Sequence, residues 1–293
     1  MAFPQIAAFA RSANGTVAPT RRIAGQETKI SRAAHDIVYD PANDEILVAN
    51  PLAQAILVFK GGANGDEPPT RVLQGPKTQM MHPDYGIAVD AVHNELLVSE
   101  KEQIAVFSRT ANGDIAPLRM LQGPDTRLID ARGFVVDPIH NLIVVGAKGG
   151  LLIFNRTDNG NAKPRAIIGG PKTGIRSTIQ NLRINPTKGL IIAVVGGRGE
   201  GGDEDDEEGG RGSRGGAEQD RGSGRVGGGG GGLGGQIAVW SVQDDGDVPP
   251  MYVLRNPKGR IQGSRIALNP KAKEVLIGSG TRGIEAYSFP EIF

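Results

Sequence analysis

The stretch GIAVDAVHNELLVSEKEQIAVFSRTANGDIAPLRMLQGP, residues 86–124, holds four short apolar runs separated by turn-forming residues. The runs are GIAVD (86–90), ELLVSE (95–100), QIAVFSR (103–109) and PLRMLQG (117–123). Each is rich in Val, Ile and Leu and bounded by Pro, Gly, Asn or Asp, which is the composition of β-strands. The first three are apolar almost without interruption, whereas a strand with one wet face alternates. They therefore read as strands covered on both faces. Nowhere does the chain offer a convincing amphipathic period of 3.6 residues over about 12 residues, so very little helix is expected.

The same unit recurs along the chain. An Asn-Gly or Asp-Gly pair follows an apolar run at Asn14, Asn64, Asn112, Asn159 and Asp245, in steps of 50, 48, 47 and 86 residues. Aromatic residues mark the same phase independently: Phe9, Phe59, Phe107, Phe154, Trp240 and Tyr287 sit in the runs IAAF, ILVF, IAVF, LLIF, IAVW and IEAY. Asp40, Asp90, Asp137, Asn185 and Asn269 close the first run of successive units, and four of the five precede proline, as suits a type I turn. Proline also precedes the fourth run of each unit, the place for a residue that cannot donate to a central ladder. A period of this length with four strands per unit predicts an all-β chain, a β-propeller of four-stranded blades.

Counting runs gives two at the N-terminus, four complete units and three at the C-terminus, 21 in all. Five blades need 20. The closing blade is expected to take its inner strands from residues 264–289 and its outer strand from residues 20–25, leaving 5–10 surplus. Six blades would require about three strands more.

The unit GIAVD…NELLVSE…QIAVFSR resembles the NHL repeat and the related gluconolactonase-like propellers, across essentially the whole chain outside one glycine-rich segment. The linking pattern ANGD-x-x-P-x-R-x-L-x-GP-x-T resembles bacterial surface or secreted members of that group. The resemblance implies six blades and an extracellular or periplasmic setting. It also brings in two functions beside that of a binding scaffold. One is metal-dependent hydrolysis of the lactonase type, with a divalent metal held at the channel mouth. The other is a structural part of a cell-surface or extracellular assembly.

Composition removes other classes. The chain has 293 residues, a net charge of +1 and no cysteine, which excludes disulfides and thiolate metal sites. No run approaches the roughly 18–20 apolar residues of a membrane span. The N-terminus, MAFPQIAAFARSANG, reads as a strand of the repeat instead of a signal peptide. Twenty of the 44 glycines fall in 196–235, GGRGEGGDEDDEEGGRGSRGGAEQDRGSGRVGGGGGGLGG, a segment expected to be a disordered insert between propeller portions 1–195 and 236–293. Its nine acids and five arginines between 198 and 225 give a net of −4, which repels phosphate backbones, so no nucleic-acid partner is expected.

Strand order fixes the two faces of the propeller. Turns joining strands 1–2 and 3–4 share one face. Turns joining strands 2–3, the links between blades and the insert share the other, and loops of such scaffolds carry function. His93 and His140 fall on the first face and read as polar turn residues. His35 and His82 fall on the second, 47 residues apart, just before the inner strands, where paired imidazoles suit a metal or an anion. Asp130 and Arg132 hold that region in the next unit. The second strands end in Asn50, Glu100, Ala147 and Ser279, and the resemblance assigns Asn50 and Glu100 the donor types of a lactonase metal. No G-x-S-x-G nucleophile and no phosphate-binding loop is present. The residues therefore point to a non-catalytic scaffold that needs no cofactor. It takes a protein or small ligand on the loop face through His35, Asn50, His82, Tyr85, Glu100 and Arg132.

Overall fold

Apolar runs bounded by turn residues become strands almost residue for residue. The structure, a computed structural model, describes residues 4–83, 86–195, 235–256, 261, 265–279 and 283–293. The first sheet has only two strands, β1 (Ile6–Ala8) and β2 (Arg21–Ile23). Blade one follows with β3 (Ile37–Asp40), β4 (Glu45–Asn50), β5 (Ala55–Lys60) and β6 (Arg71–Gln74). Blade two is β7 (Gly86–Asp90), β8 (Glu95–Glu100), β9 (Gln103–Ser108) and β10 (Arg119–Gln122). Blade three is β11 (Phe134–Asp137), β12 (Leu142–Ala147), β13 (Gly150–Asn155) and β14 (Ala166–Ile168). Blade four is β15 (Leu182–Asn185), β16 (Leu190–Val195), β17 (Gln236–Ser241) and β18 (Tyr252–Leu254). Blade five is β19 (Arg265–Asn269), β20 (Glu274–Ser279) and β21 (Gly283–Ser288). Every pairing within a blade is antiparallel.

The result is a β-propeller of five blades, all-β as the repeat predicts. Four blades have four strands and the fifth has three among the described residues. The inner strands β3, β7, β11, β15 and β19 neighbour one another in that order. Among the described residues the only helical pieces are five short 3-10 turns, such as Pro76–Thr78 and Pro124–Thr126. The glycine-rich segment expected to be a disordered insert lies outside the described residues, Gly235 apart.

The core is a series of interfaces, because successive side chains of a strand point to opposite faces and each face meets a different blade. Phe107 packs with Leu47, Ile56 and Val58 between blades one and two. Phe154 packs with Leu97, Ile104 and Val106 between blades two and three. Trp240 does the same with Val144, Leu151 and Ile153 of blade three. Phe59 faces the β1–β2 sheet, together with Ile23. The phased aromatic residue is thus the plug of these four seams, and all four are fully buried.

Polar staples repeat alongside the apolar ones. In the turns after the first strands, Asp90 Oδ1 accepts from the Val92 and His93 amides, while Asp90 Oδ2 lies 2.7 Å from His93 Nδ1. Asp137 and His140 repeat the arrangement at 2.8 Å, so both histidines are turn residues. In four links, Thr28, Thr78, Thr126 or Thr173 donates its hydroxyl to the carbonyl of Gly25, Gly75, Gly123 or Gly170, at 2.6–2.7 Å. The same hydroxyl accepts the amide two residues on, from Ile30, Met80, Leu128 or Ile175.

The residue after four of the five Asn-Gly or Asp-Gly pairs reaches back to the preceding sheet. Asp66, Asp114, Asn161 and Asp247 accept the amides of Glu27, Lys77, Asp125 and Lys172 at 2.7–2.8 Å. Gly75 and Gly123 must be glycine here: their φ values are 132° and 121°, and a Cβ would meet Asp114 or Asn161 at 2.4–2.6 Å. The linking pattern is therefore a clasp between blades.

One expectation fails. Residues 20–25 do not supply the outer strand of blade five. Arg21–Ile23 instead pairs with Ile6–Ala8, in register Ile6 to Ile23. The 3–4 connections of the complete blades are of similar length, so local pairing across a short loop prevails over pairing across the ring. The strand at 5–10 is thus not surplus. β1 and β2 repeat the third and fourth strands of a blade, and Ile23 bridges Gly65 as Leu73 bridges Gly113 and Leu121 bridges Gly160.

Candidate binding face

The loop face is built by the 2–3 turns and the inter-blade links, and the ends of the second strands hold those links down. Asn50, at the end of β4, is almost wholly buried. Its Oδ1 accepts from the Ser31 amide at 3.2 Å and from the Ser31 hydroxyl, and its Nδ2 donates to the Lys29 carbonyl at 2.9 Å. Glu100, at the end of β8, is buried too. Its Oε1 accepts from the amides of Met81 and His82 at 2.7 and 3.1 Å, and its Oε2 accepts from Gln103 Nε2 at 2.9 Å. Both buried side chains bind a link, and Glu100 also braces the start of β9, so their polar atoms are hydrogen-bonded as buried polar groups require.

The other expected residues ride on those links. His82 is exposed, one residue beyond Met81, on the segment that Glu100 pins. His35 is exposed and its amide donates to the Ala49 carbonyl at 3.1 Å, extending the β3–β4 pairing toward the loop face. Arg132 is half-buried before β11. Its Nε lies 3.0 Å from Asp130 Oδ1, and Asp130 Oδ2 accepts from Thr178 Oγ1 at 2.9 Å, which joins the third and fourth links. Tyr85 lies outside the described residues. The structure thus brings Glu100 and His82 together on one link, and sets Asn50, His35 and Arg132 at corresponding levels of other blades.

Charge gathers where the inner strands begin. Arg183, on β15, has its guanidinium pulled below the ordinary arginine range by burial; Asp36 pulls it back up and Arg265 pushes it further down. Its Nη1 donates to the Leu182 carbonyl at 2.8 Å. Asp36 accepts the Ile87 amide at 3.0 Å, and Asn181 accepts the Ile266 amide at 3.3 Å, so inner strands are stitched at this level as well.

Sequence reasoning missed a groove on this face. It has a volume of about 730 Å³ and is lined by Glu102, Gln103, Gln122, Arg127, Leu128 and Ile129. Arg127 takes a left-handed conformation, φ 57°, at the end of its 3-10 turn, as Lys29, Gln79 and Gly174 do at the equivalent places. That conformation turns the next two residues in opposite senses. Met80 and Leu128 go into the core, while Met81 and Ile129 stay exposed. The signal available in the sequence was the apolar pair that follows two of the three GP-x-T patterns, Met80-Met81 and Leu128-Ile129.

Among the described residues no group of three or more His, Cys, Asp or Glu side chains is placed to hold a metal ion. Asn50 and Glu100 fit the donor set poorly on their own account, since Asn50 Oδ1 and Glu100 Oε1 already hold the links and Glu100 Oε2 accepts from Gln103 of β9. No helix of the described residues is long and apolar enough to cross a membrane. No protein-family model matches the chain, and no curated protein matches it in sequence.

Proposed function

We propose that this propeller is a non-catalytic scaffold whose loop face binds a protein or a small ligand. The observation that carries the reading is an internal contrast between the repeats. Along the first four links the clasp residues stay constant, glycine, threonine and the reaching Asp or Asn, whereas the fifth has Asn256 and Gly259 in place of the glycine and the threonine. The residue three positions after each of these threonines changes from link to link: Ser31, half-buried and tied to Asn50, then the exposed Met81, Ile129 and Arg176. A constant frame that displays a varied surface is the arrangement of a recognition face. The groove beside Arg127 and Ile129 adds a concave place for a ligand to sit.

In this reading His35, His82, Arg132 and Tyr85 meet the ligand, and Asn50 and Glu100 set the position of the links. The likeness of GIAVD…NELLVSE…QIAVFSR to NHL repeats and gluconolactonase-like propellers supports it, and supports an extracellular or periplasmic setting.

The test compares faces. Ligand captured from the source organism is expected to be lost from Met81→Asp and Ile129→Asp and retained by Val92→Asp and Ile139→Asp, exposed positions on the opposite face. Equal capture by all four variants would overturn the reading. Metal analysis and lactone hydrolysis on the purified chain, with His82→Ala and Glu100→Gln in parallel, test the lactonase alternative. Hydrolysis that both variants abolish would replace the scaffold reading with that one.

A further inference from the structure

Two half-buried residues of the innermost ring, Asp36 and Arg183, carry charges that their repeat positions do not require. Asp36 lies four residues before the Asp that closes its strand, where the other inner strands have Gly86, Gly133, Asn181 and Arg265. Its Oδ2 accepts the Ile87 amide of the next blade at 3.0 Å. Asn181 does the same for the Ile266 amide with a neutral side chain, so this stitch needs an oxygen and not a negative charge. Arg183 of β15 stands where the other inner strands carry Val38, Ala88, Val135 and Ala267, so the position needs no guanidinium.

Neither charge is closed by an ion pair. Half-buried Arg71, Arg109, Arg119, Arg132 and Arg156 each hold a carboxylate at 2.5–3.0 Å. Among the described residues Arg183 holds none. Its one hydrogen bond runs from Nη1 to the Leu182 carbonyl, and a guanidinium has five N–H groups to give. Asp36 has the Ile87 amide on Oδ2 and, among the described residues, no partner on Oδ1. Burial acts against the Arg183 charge and so does Arg265, while Asp36 acts for it. The acid of blade one is thus within electrostatic reach of the arginine of blade four without touching it. A partly desolvated charge left in that state is costly, and a ligand that completes the pairing recovers the cost.

The ring leaves room at this level. Gly86 and Gly133 add no side chain to it, and a Cβ on Gly133 would meet the Gln180 carbonyl at 2.7 Å. Arg265 is exposed at the start of β19 and adds a second cation. One residue nearer the loops stand His35, Arg132 and Gln180, so the approach from the loop face is polar.

We propose that the loop-face end of the central channel binds a free α-amino acid, its carboxylate on Arg183 and Arg265 and its ammonium on Asp36. A bare anion would meet Asp36, and a bare cation would meet the two arginines. A ligand with both charges on neighbouring atoms satisfies all three, through charge-assisted hydrogen bonds in a partly desolvated place. The site names a ligand class for the centre of the loop face and rests on the reading of that face as a binding surface, but its residues are not those of the groove.

The experiment titrates the full chain with each standard L-amino acid in turn, by calorimetry and by the shift in unfolding temperature. Acetate and methylammonium serve as probes that carry a single charge. At least one amino acid is expected to bind saturably at one site per chain and to raise the unfolding temperature. Acetate and methylammonium should bind at least tenfold more weakly. Arg183→Gln and Asp36→Asn are each expected to weaken amino-acid binding at least tenfold. Asp36→Asn keeps the oxygen that the Ile87 amide needs, as Asn181 does for Ile266, so it removes charge without removing the stitch. Arg165→Gln, at an exposed position before β14, makes the same change in net charge as Arg183→Gln and should leave binding intact. No binding by any amino acid, binding indifferent to Asp36→Asn, or acetate binding as tightly as the amino acid would each overturn the proposal. The reading of the loop face is tested apart from it, because Met81→Asp and Ile129→Asp should leave amino-acid binding unchanged.

Discussion

The junction between blades one and two and the gap between blade five and β1 are built from the same repeat positions, yet one is dry and the other open. In the first, Ile56 and Phe107 meet and are fully buried. In the second, Ile284 and Phe9 hold the corresponding places and face solvent. Local sequence therefore does not decide burial in this fold. A strand with apolar residues on both faces is stable only if both neighbours are present, because the hydrophobic gain comes from area removed from water and not from residue type. The difference also separates two kinds of junction: closed seams bury their walls and hold the propeller, and the open one leaves Ile284 and Phe9 exposed.

The largest expected effect tests the closed side of that contrast. Phe107→Ala empties a fully enclosed site and should destabilise the chain by about 3–5 kcal/mol, measured by denaturant unfolding. Thr126→Val comes next. It strips the link after blade two of its hydroxyl, leaving the Gly123 carbonyl and the Leu128 amide without that partner. A loss of about 1–3 kcal/mol is expected. If Thr126→Val were neutral, the clasp would be ornament and the apolar plug alone would hold the seam.

Glu95 sharpens the comparison through pH. Its carboxylate joins two blades, with Arg119 at 2.7 Å from both oxygens and Arg156 at 2.8 Å. Burial alone would raise its pKa, but hydrogen bonds and charge from Arg119 and Arg156 outweigh burial and hold it below the usual glutamate range. A folded-state pKa below the unfolded value contributes stability that is fully present above the unfolded value. That stability is lost as pH falls through the depressed one. Glu95→Gln should therefore cost roughly 1–3 kcal/mol near neutrality, for the loss of charge-assisted hydrogen bonds. The gap to the parent should narrow on acidification below the ordinary glutamate range. A gap that stayed constant with pH would assign the loss to packing instead of charge. Leu142 holds the equivalent place in blade three, so the ion triad supplements the seams and does not define them.

Most of the fold could be read from the residues because period, aromatic phase and turn chemistry agree. GIAVD, ELLVSE and QIAVFSR emerge as β7, β8 and β9 with at most one residue of difference at their ends. The ring closure was not legible. Residues 20–25 satisfy a sheet equally well beside 5–10 or beside 283–288, and nothing in their composition separates the two. Chain proximity did, in favour of the nearer partner. Asn50 and Glu100 were legible as special positions, polar residues ending otherwise apolar strands. Their role was not, because it depends on links that return over them from residues about 20 positions earlier. The clasp was visible as the recurrent GP-x-T and ANGD, but its two halves come from different blades and meet only in the folded chain.

The smallest expected effect is the one that bears hardest on the contrast. Phe9→Ala removes the same ring, from the same repeat position, as Phe107→Ala. At 53% exposure it has no enclosing wall, so no cavity is created and little area returns to water. The change in stability should stay within about 0.5 kcal/mol, the range of ordinary surface substitutions, in the same unfolding experiment. Ile284→Ala, on the opposite wall, should behave alike, and the double variant should be additive because the two side chains share no contact. A loss approaching that of Phe107→Ala, or coupling between the two positions, would mean that the walls meet in solution. The open junction would then be a seam like the others, and the distinction between the two regions would fall.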